Sequence, residues 1–150
     1  MADRVSASIV LGGTISTTAF AELAGLIEQE GLSTEWDGEP FQPEDVIPDQ
    51  PLSLYAHEVA WGRFDALESW CAGAGVPFTR WSGAYGGQWG AERVVFTGTG
   101  EPMSFAANED DHVLIGRETV EQLCSVEMIR AHFDAADFAV PPLIVVADLS

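Results

Sequence analysis

The sequence predicts a mixed α/β (α+β) fold in which a single domain is built around two similar β-α-β halves. Residues 5–11 and 52–61 alternate apolar and polar side chains as half-buried strands do, and each run precedes an apolar stripe at helical spacing. Each stripe ends at a glycine, and each glycine is followed by a short second strand. Two β-α-β units that share one sheet, with both helices on one face, form a ferredoxin-like two-layer sandwich.

The first half spans about residues 4–38. Its first strand covers residues 5–11, Thr17 or Thr18 caps the helix, Gly31 ends the helix, and residues 32–36 form the second strand. The second half spans about residues 52–83, with a strand at 52–61, a helix at 63–74 and a strand at 76–81. The proline-rich segment 39–51 between the halves predicts an extended loop. Within this repeat, Trp36 corresponds to Trp81.

Residues 84–150 extend this core within the same domain, since 150 residues fit one domain. Residues 92–99 and 102–107 predict a β-hairpin, residues 108–111 an acidic turn, and residues 113–115 a short strand. Two C-terminal helices are expected at 117–123 and 126–136, with Ser125 capping the second, and a final strand is expected at 143–147.

The charge balance is the most unusual property of the chain. Twenty-four acidic residues face six basic ones, all of them arginine, for a formal net charge of −18. Such a surface repels nucleic acid and anionic membranes and attracts basic partners. Acidity that serves solubility alone is the alternative interpretation.

No motif indicates catalysis, a metal or a cofactor, so we predict a protein that is not an enzyme. The histidines and cysteines lack metal-ligand spacing, and Gly12-Gly13-Thr14 is a turn without a phosphate-binding pattern. Cys71 and Cys124 both fall on apolar helical stripes, which predicts buried, unreactive thiols. No apolar run approaches the ~20 residues that cross a bilayer, and no signal segment precedes the first strand. The expected location is the cytoplasm.

Two acidic segments and one aromatic segment are the candidate partner-binding residues. Carboxylates spread over loops could imitate the phosphate spacing of a nucleic acid, and Trp and Tyr among glycines are typical anchors of a protein contact. A solvated acidic face, and a Trp89 that folds back onto the sheet, are the alternatives. The candidates are Glu35, Asp37, Glu39, Glu44, Asp45, Asp49, Tyr85, Trp89, Glu109, Asp110 and Asp111.

The resemblance of the whole chain to a group of known proteins is based on three stretches: Ser8-Ile9-Val10-Leu11-Gly12-Gly13, Ala60-Trp61-Gly62-Arg63-Phe64 and Pro141-Pro142-Leu143. On these the chain resembles small uncharacterised acidic proteins of bacterial plasmids and integrative elements. The resemblance implies a setting in which accessory proteins act against host defences, as anti-CRISPR and anti-restriction proteins do.

We therefore predict an acidic inhibitor that binds a basic, nucleic-acid-binding protein rather than nucleic acid itself. A small enzyme or ligand-binding module with a pocket on the sheet face stays an alternative, as does a structural protein that self-associates as a homodimer.

Overall fold

The computed structural model describes residues 4–85 and 88–147 and confirms the mixed α+β class. Its strands are β1 (Arg4–Leu11), β2 (Gly13–Ser16), β3 (Leu52–Ala60), β4 (Phe78–Ser82), β5 (Glu92–Phe96), β6 (Met103–Ala106) and β7 (Leu143–Val146). Its helices are α1 (Thr17–Glu30), α2 (Asp65–Ala74), α3 (Arg117–Leu123) and α4 (Val126–Ala136), with a short 3₁₀ helix at Pro43–Asp45.

A five-stranded antiparallel sheet forms the centre of the molecule, in the order β3-β1-β4-β5-β6. The strand β1 therefore lies between β3 and β4, with Ile9 opposite Leu54 on one side and opposite Arg80 on the other. The short strands β2 and β7 pair in parallel as a separate two-stranded sheet, and β2 was not expected from the sequence. The predicted hairpin is present as β5 and β6.

The main hydrophobic core lies between this sheet and the helices α1 and α2. Alternate residues of β1 are buried, so Ile9 and Leu11 face Leu23 of α1 and Leu67 of α2. On the opposite face, α4 packs against β5, where Val95, Phe105 and Ala136 form a smaller cluster. The helices are thus divided between the two faces of the sheet.

Helix ends follow local signals in the sequence with one difference. Gly31 and Gly75 both end their helices with φ of 72°, a left-handed conformation that glycine adopts at little cost. Ser125 caps α4 as predicted, because its hydroxyl accepts a bond from Met128 N. At α1, however, Ser16 rather than Thr17 or Thr18 supplies the cap, accepting a 3.1 Å bond from Ala19 N.

The prediction of a strand at residues 32–36 was wrong. Ser33 makes isolated bridges to Tyr55 and Pro40, and the chain then turns back where Gly38 N donates to Glu35 O. A complete ferredoxin-like sandwich is accordingly not confirmed, because the second strand of the first half is reduced to single bridges. Residues 113–115 likewise contribute only the bridge between Ala107 and Val113.

Cys124 also departs from the prediction. It is exposed and ends α3 with φ of 65°, so it does not lie on a buried stripe. Cys71 is buried in α2 as expected, and both cysteines are free thiols. Among the described residues, no helix combines the length and apolar character needed to cross a bilayer.

A buried arginine joins the core of the sheet to α2. Arg80 is 3% exposed, and its guanidinium contacts the carboxylate of Glu68 at 3.2 Å, that of Glu92 at 3.1 Å and the hydroxyl of Ser82 at 2.9 Å. Glu68 also accepts a 2.7 Å bond from Phe64 N, which satisfies a free N–H at the start of α2. Because each partner is hydrogen-bonded, this charge is tolerated in the interior.

Candidate functional site

The candidate site lies on the sheet face opposite α1 and α2, which we call the open face. Strand residues alternate between the two faces, so the open face receives the side chains that do not join the main core. In the part of this face that α4 does not cover, they include Ser6, Ser8, Tyr55, His57, Thr79, Trp81 and Arg93.

An aromatic cluster centred on Trp36 covers part of the open face. The ring centroid of Trp36 lies 5.0 Å from that of Tyr55, 4.9 Å from that of His57 and 6.4 Å, edge-on, from that of Trp81. Trp36 itself remains 40% exposed. The sequence analysis did not include Trp36 or Trp81 among the binding residues, although their equivalent positions in the two halves were a signal that could have found them.

Two acidic segments that are far apart in the sequence each contact Trp81, one through Trp36 and the other through Asn108. In the first segment, Trp36 is followed by Asp37, whose Oδ1 lies 3.1 Å from His57 Nε2. In the second segment, Asn108 O accepts a 2.9 Å bond from the indole N–H of Trp81, which fixes the acidic turn against the sheet. We call this region the Trp81 surface; it comprises Glu35, Trp36, Asp37, Trp81, Glu109 and Asp110.

The aromatic residues predicted as anchors lie beside this surface. Tyr85 and Trp89 stack with centroids 5.0 Å apart, and Trp61 adds a third ring 5.8 Å from Trp89. The backbone N–H of Ala84 donates to Glu109 Oε1 at 2.8 Å, which connects this stack to the acidic turn. The intervening residues 86 and 87 of the predicted segment lie outside the described residues.

The remaining predicted acids belong to the loop between the halves, and no contact in the described chain brings them to Trp81. Glu39 and Glu44 are exposed, and Asp45 Oδ2 accepts a 2.9 Å bond from Gln42 N within the 3₁₀ helix. Asp49 borders a groove that is formed with residues 143–145 of β7. The predicted acids other than Asp111 therefore divide between the Trp81 surface and a separate acidic loop.

Asp111 differs from the other predicted acids because it is paired with an arginine. Its Oδ2 accepts a 2.9 Å bond from Arg93 Nη1, while Arg93 Nε donates to Ala136 O at 2.7 Å. Burial raises the pKa of Asp111 above its ordinary value, against the lowering effect of Arg93. Asp111 Oδ1 is buried and has no hydrogen-bond partner among the described residues.

The open face also contains a hydrogen-bonded chain of serine, histidine and aspartate. Ser6 Oγ lies 2.9 Å from His57 Nδ1, and Asp37 binds the other ring nitrogen. The pairing of β1 with β3 contains a β-bulge, which orients the side chain of His57 toward these partners. Within this irregular part of β3, Glu58 has a left-handed backbone conformation with φ of 55°. His57 thus pairs with Asp37 and not with its neighbour Glu58.

This order of groups is that of a nucleophile, a base and an orienting acid, yet two backbone N–H groups next to it already have acceptors and are not free as oxyanion donors. The neighbouring N–H groups of Gly83 and Ala84 already donate to Ser6 O and to Glu109. Loss of even one oxyanion donor costs such sites about 10²–10³ in rate. The contact of Asp37 with His57 also connects the loop that carries Trp36 and Asp37 to β3.

Over residues 4–85 and 88–147, no three His, Cys, Asp or Glu side chains are grouped so that they could hold a metal ion. No protein-family model, curated protein or solved structure matches the chain.

Proposed function

We propose that this protein is a non-enzymatic binding protein whose Trp81 surface engages a basic protein partner. The observation that carries the proposal is the convergence of two acidic segments on one aromatic cluster. Exposed Trp36 supplies an anchor of the residue type that dominates interface energies, and the carboxylates around it supply charge complementarity. An acidity that served solubility alone would not require the segments that contain Asp37 and Glu109 to contact the same tryptophan.

The partner class we propose is a nucleic-acid-binding protein, such as a component of a CRISPR or restriction complex. The carboxylates would occupy the basic groove that otherwise holds phosphates, so the protein would act as an inhibitor. The net charge of −18 favours rapid association with a basic groove and disfavours direct contact with DNA or RNA. The free thiols Cys71 and Cys124 fit a reducing compartment, which supports action in the cytoplasm.

We also propose that the core is a ferredoxin-like sandwich with one reduced edge strand. In that arrangement, the strand after the first helix lies outside β3, which is followed inward by β1 and β4. The bridges of Ser33 to Tyr55 support this order, as do the antiparallel pairings of β1 and the location of both α1 and α2 on one face. The strands β5 and β6 would then extend the sheet beyond β4.

The test measures binding to a purified CRISPR effector and to a purified restriction endonuclease while salt rises from about 0.05 to about 0.5 M. Binding should be tight at low salt and weaken steeply, and duplex DNA should compete for the same groove. If neither enzyme binds at low salt, or if DNA does not compete, the proposed partner class is wrong.

Two double variants with the same change in net charge separate the Trp81 surface from general acidity. Asp37→Asn with Glu109→Gln should weaken binding by at least about tenfold, since each desolvated charge pair contributes more than about 1 kcal/mol. Glu118→Gln with Glu127→Gln removes two exposed acids from α3 and α4 and should change affinity little. Equal losses in the two variants would show that binding depends on total charge and not on this surface.

A further inference from the structure

The turn between β3 and α2 contains a tryptophan in a backbone conformation that tryptophan rarely adopts. Trp61 and Gly62 have φ of 57° and 66°. The residues on either side of them close the turn, since Arg63 N donates to Ala60 O at 3.2 Å. Two consecutive residues with positive φ inside such a bond are typical of a type I′ turn, whose preferred pair is Asn-Gly. Gly62 has a structural reason for its identity, because a Cβ there would lie 2.6 Å from the Cβ of Ser82.

Packing in the core does not explain the identity of Trp61. Its side chain is 51% exposed. A bulky residue with positive φ is an outlier, and asparagine or glycine would adopt the same conformation at a lower cost. Backbone strain of this kind is concentrated at functional sites. The combination of strain and exposure therefore favours a binding role for the ring.

Trp61, Trp89 and Tyr85 form what we call the aromatic stack. The centroid of the Trp61 ring lies 5.8 Å from that of Trp89, which in turn lies 5.0 Å from that of Tyr85. An exposed carboxylate adjoins the stack, because Glu109 accepts a bond from the N–H of Ala84, the residue before Tyr85. Aromatic rings beside a carboxylate, in a chain with a net charge of −18, are surroundings that attract a cation.

We propose that the aromatic stack, with Trp61 as its most exposed ring, binds arginine side chains of the basic partner. The inference rests on the proposed function, since it names the side chain by which the partner is recognised. A guanidinium is planar, weakly hydrated and stacks on aromatic rings, whereas the lysine ammonium is a strongly hydrated point charge. Glu109 supplies a counter-charge to the same segment of the partner.

The protein's own Arg63 is the cation nearest to Trp61 in the sequence. Its charge acts on Glu92, where it contributes to lowering the pKa of that carboxylate. The charge of Arg63 is therefore partly compensated within the protein, and its repulsion of a partner's arginine is reduced.

The test measures the binding of the whole protein to hexa-arginine, hexa-lysine and hexa-citrulline by calorimetry in about 0.1 M salt. The lysine peptide keeps the charge without the planar group, and the citrulline peptide keeps the planar group without the charge. Hexa-arginine should bind about two- to fivefold more tightly than hexa-lysine, and it should shift the indole N–H NMR signal of Trp61. Equal binding of hexa-arginine and hexa-lysine, or of hexa-arginine and hexa-citrulline, would overturn the proposal.

Three variants locate this preference. Trp61→Asn should reduce the ratio of the hexa-lysine Kd to the hexa-arginine Kd by about two- to fivefold, whereas Trp61→Phe keeps an aromatic ring and should preserve most of the ratio. Ile47→Asn is the matched control, because Ile47 is 56% exposed in the loop before β3 and Trp61 follows the other end of that strand. It should leave the ratio unchanged.

Thermal unfolding tests the strain at Trp61 separately. Because asparagine suits a type I′ turn, Trp61→Asn should raise the Tm by about 2–4 °C, whereas a structural role for the ring would lower it. The proposal is overturned if Trp61→Asn leaves the Kd ratio unchanged or lowers the Tm, or if Ile47→Asn reduces the ratio equally. A wrong partner class would instead appear as absent binding to the CRISPR effector and the restriction endonuclease while the preference for hexa-arginine persists.

Discussion

Replacement of Arg80 by methionine should destabilise the protein by about 3 kcal/mol at pH 7. The change removes a guanidinium that is 3% exposed and leaves Glu68 and Glu92 without their cation. Breaking a buried ion pair typically costs about 3–5 kcal/mol. We expect the lower end of this energy range, because the side chain of Glu92 is 36% exposed and water can partly replace the lost arginine as its partner.

Urea unfolding followed by tryptophan fluorescence measures this loss, which corresponds to a fall in Tm of roughly 6–12 °C for a chain of this size. The informative control is the triple variant Arg80→Met with Glu68→Gln and Glu92→Gln. It removes all the charges, and the amide oxygen introduced by Glu68→Gln can still accept the bond from Phe64 N, so it should recover more than half of the loss. A loss below about 1 kcal/mol in the single variant, or no recovery in the triple variant, would refute the assignment of Arg80 as the compensating charge.

Three further predictions concern titrating groups. Burial, with Asp65 and Glu68 nearby, raises the pKa of Glu30, so its charge opposes folding at neutral pH. Glu30→Gln should stabilise the protein by at most about 0.5 kcal/mol at pH 7, because Glu30 is only partly buried and water screens its charge. The effect should vanish in urea titrations below about pH 4, where Glu30 is protonated in both the folded and the unfolded state. Burial acts to raise the pKa of Glu92, but the Ser104 hydroxyl and Arg80 outweigh it and lower the pKa overall. The stabilisation from Glu92 is therefore present above its unfolded pKa of about 4.3 and lost as pH falls through the lower folded value, so the cost of Glu92→Gln should disappear in strong acid. Burial, with Glu68, raises the pKa of Cys71 to about 12. A thiol-reactive dye at about pH 8 should therefore label the exposed Cys124 alone until the protein is unfolded. Labelling of the folded Cys124→Ser variant would contradict this prediction.

Local signals in the sequence predicted those features that depend on neighbouring residues. The glycines at positions 31 and 75 end helices because only their own backbone conformation is involved, and Ser125 caps α4 with a bond three residues away. The alternation of residues 5–11 predicted a strand with one buried face for the same reason. The cap at Ser16 was missed because several adjacent hydroxyls offered the same local signal.

Contacts between distant segments decided the rest, and the sequence could not rank them. Residues 32–36 have a strand-like composition, but the turn after Glu35 leaves Ser33 to make only single bridges. Asp111 looked like any other exposed acid until Arg93, on a different element, proved to be its partner. With twenty-four acids in the chain, composition alone cannot show which carboxylates share a surface.

The sequence by itself determined a mixed α+β fold class, the positions of most of the strands and helices, and a strongly acidic composition. Only the tertiary structure decided that Trp36 meets Trp81, that two acidic segments contact Trp81, and that Trp61 lies beside Trp89. The physical reason is that secondary structure depends on periodicity and end signals within one segment. A binding surface depends on which distant segments the packed sheet brings together.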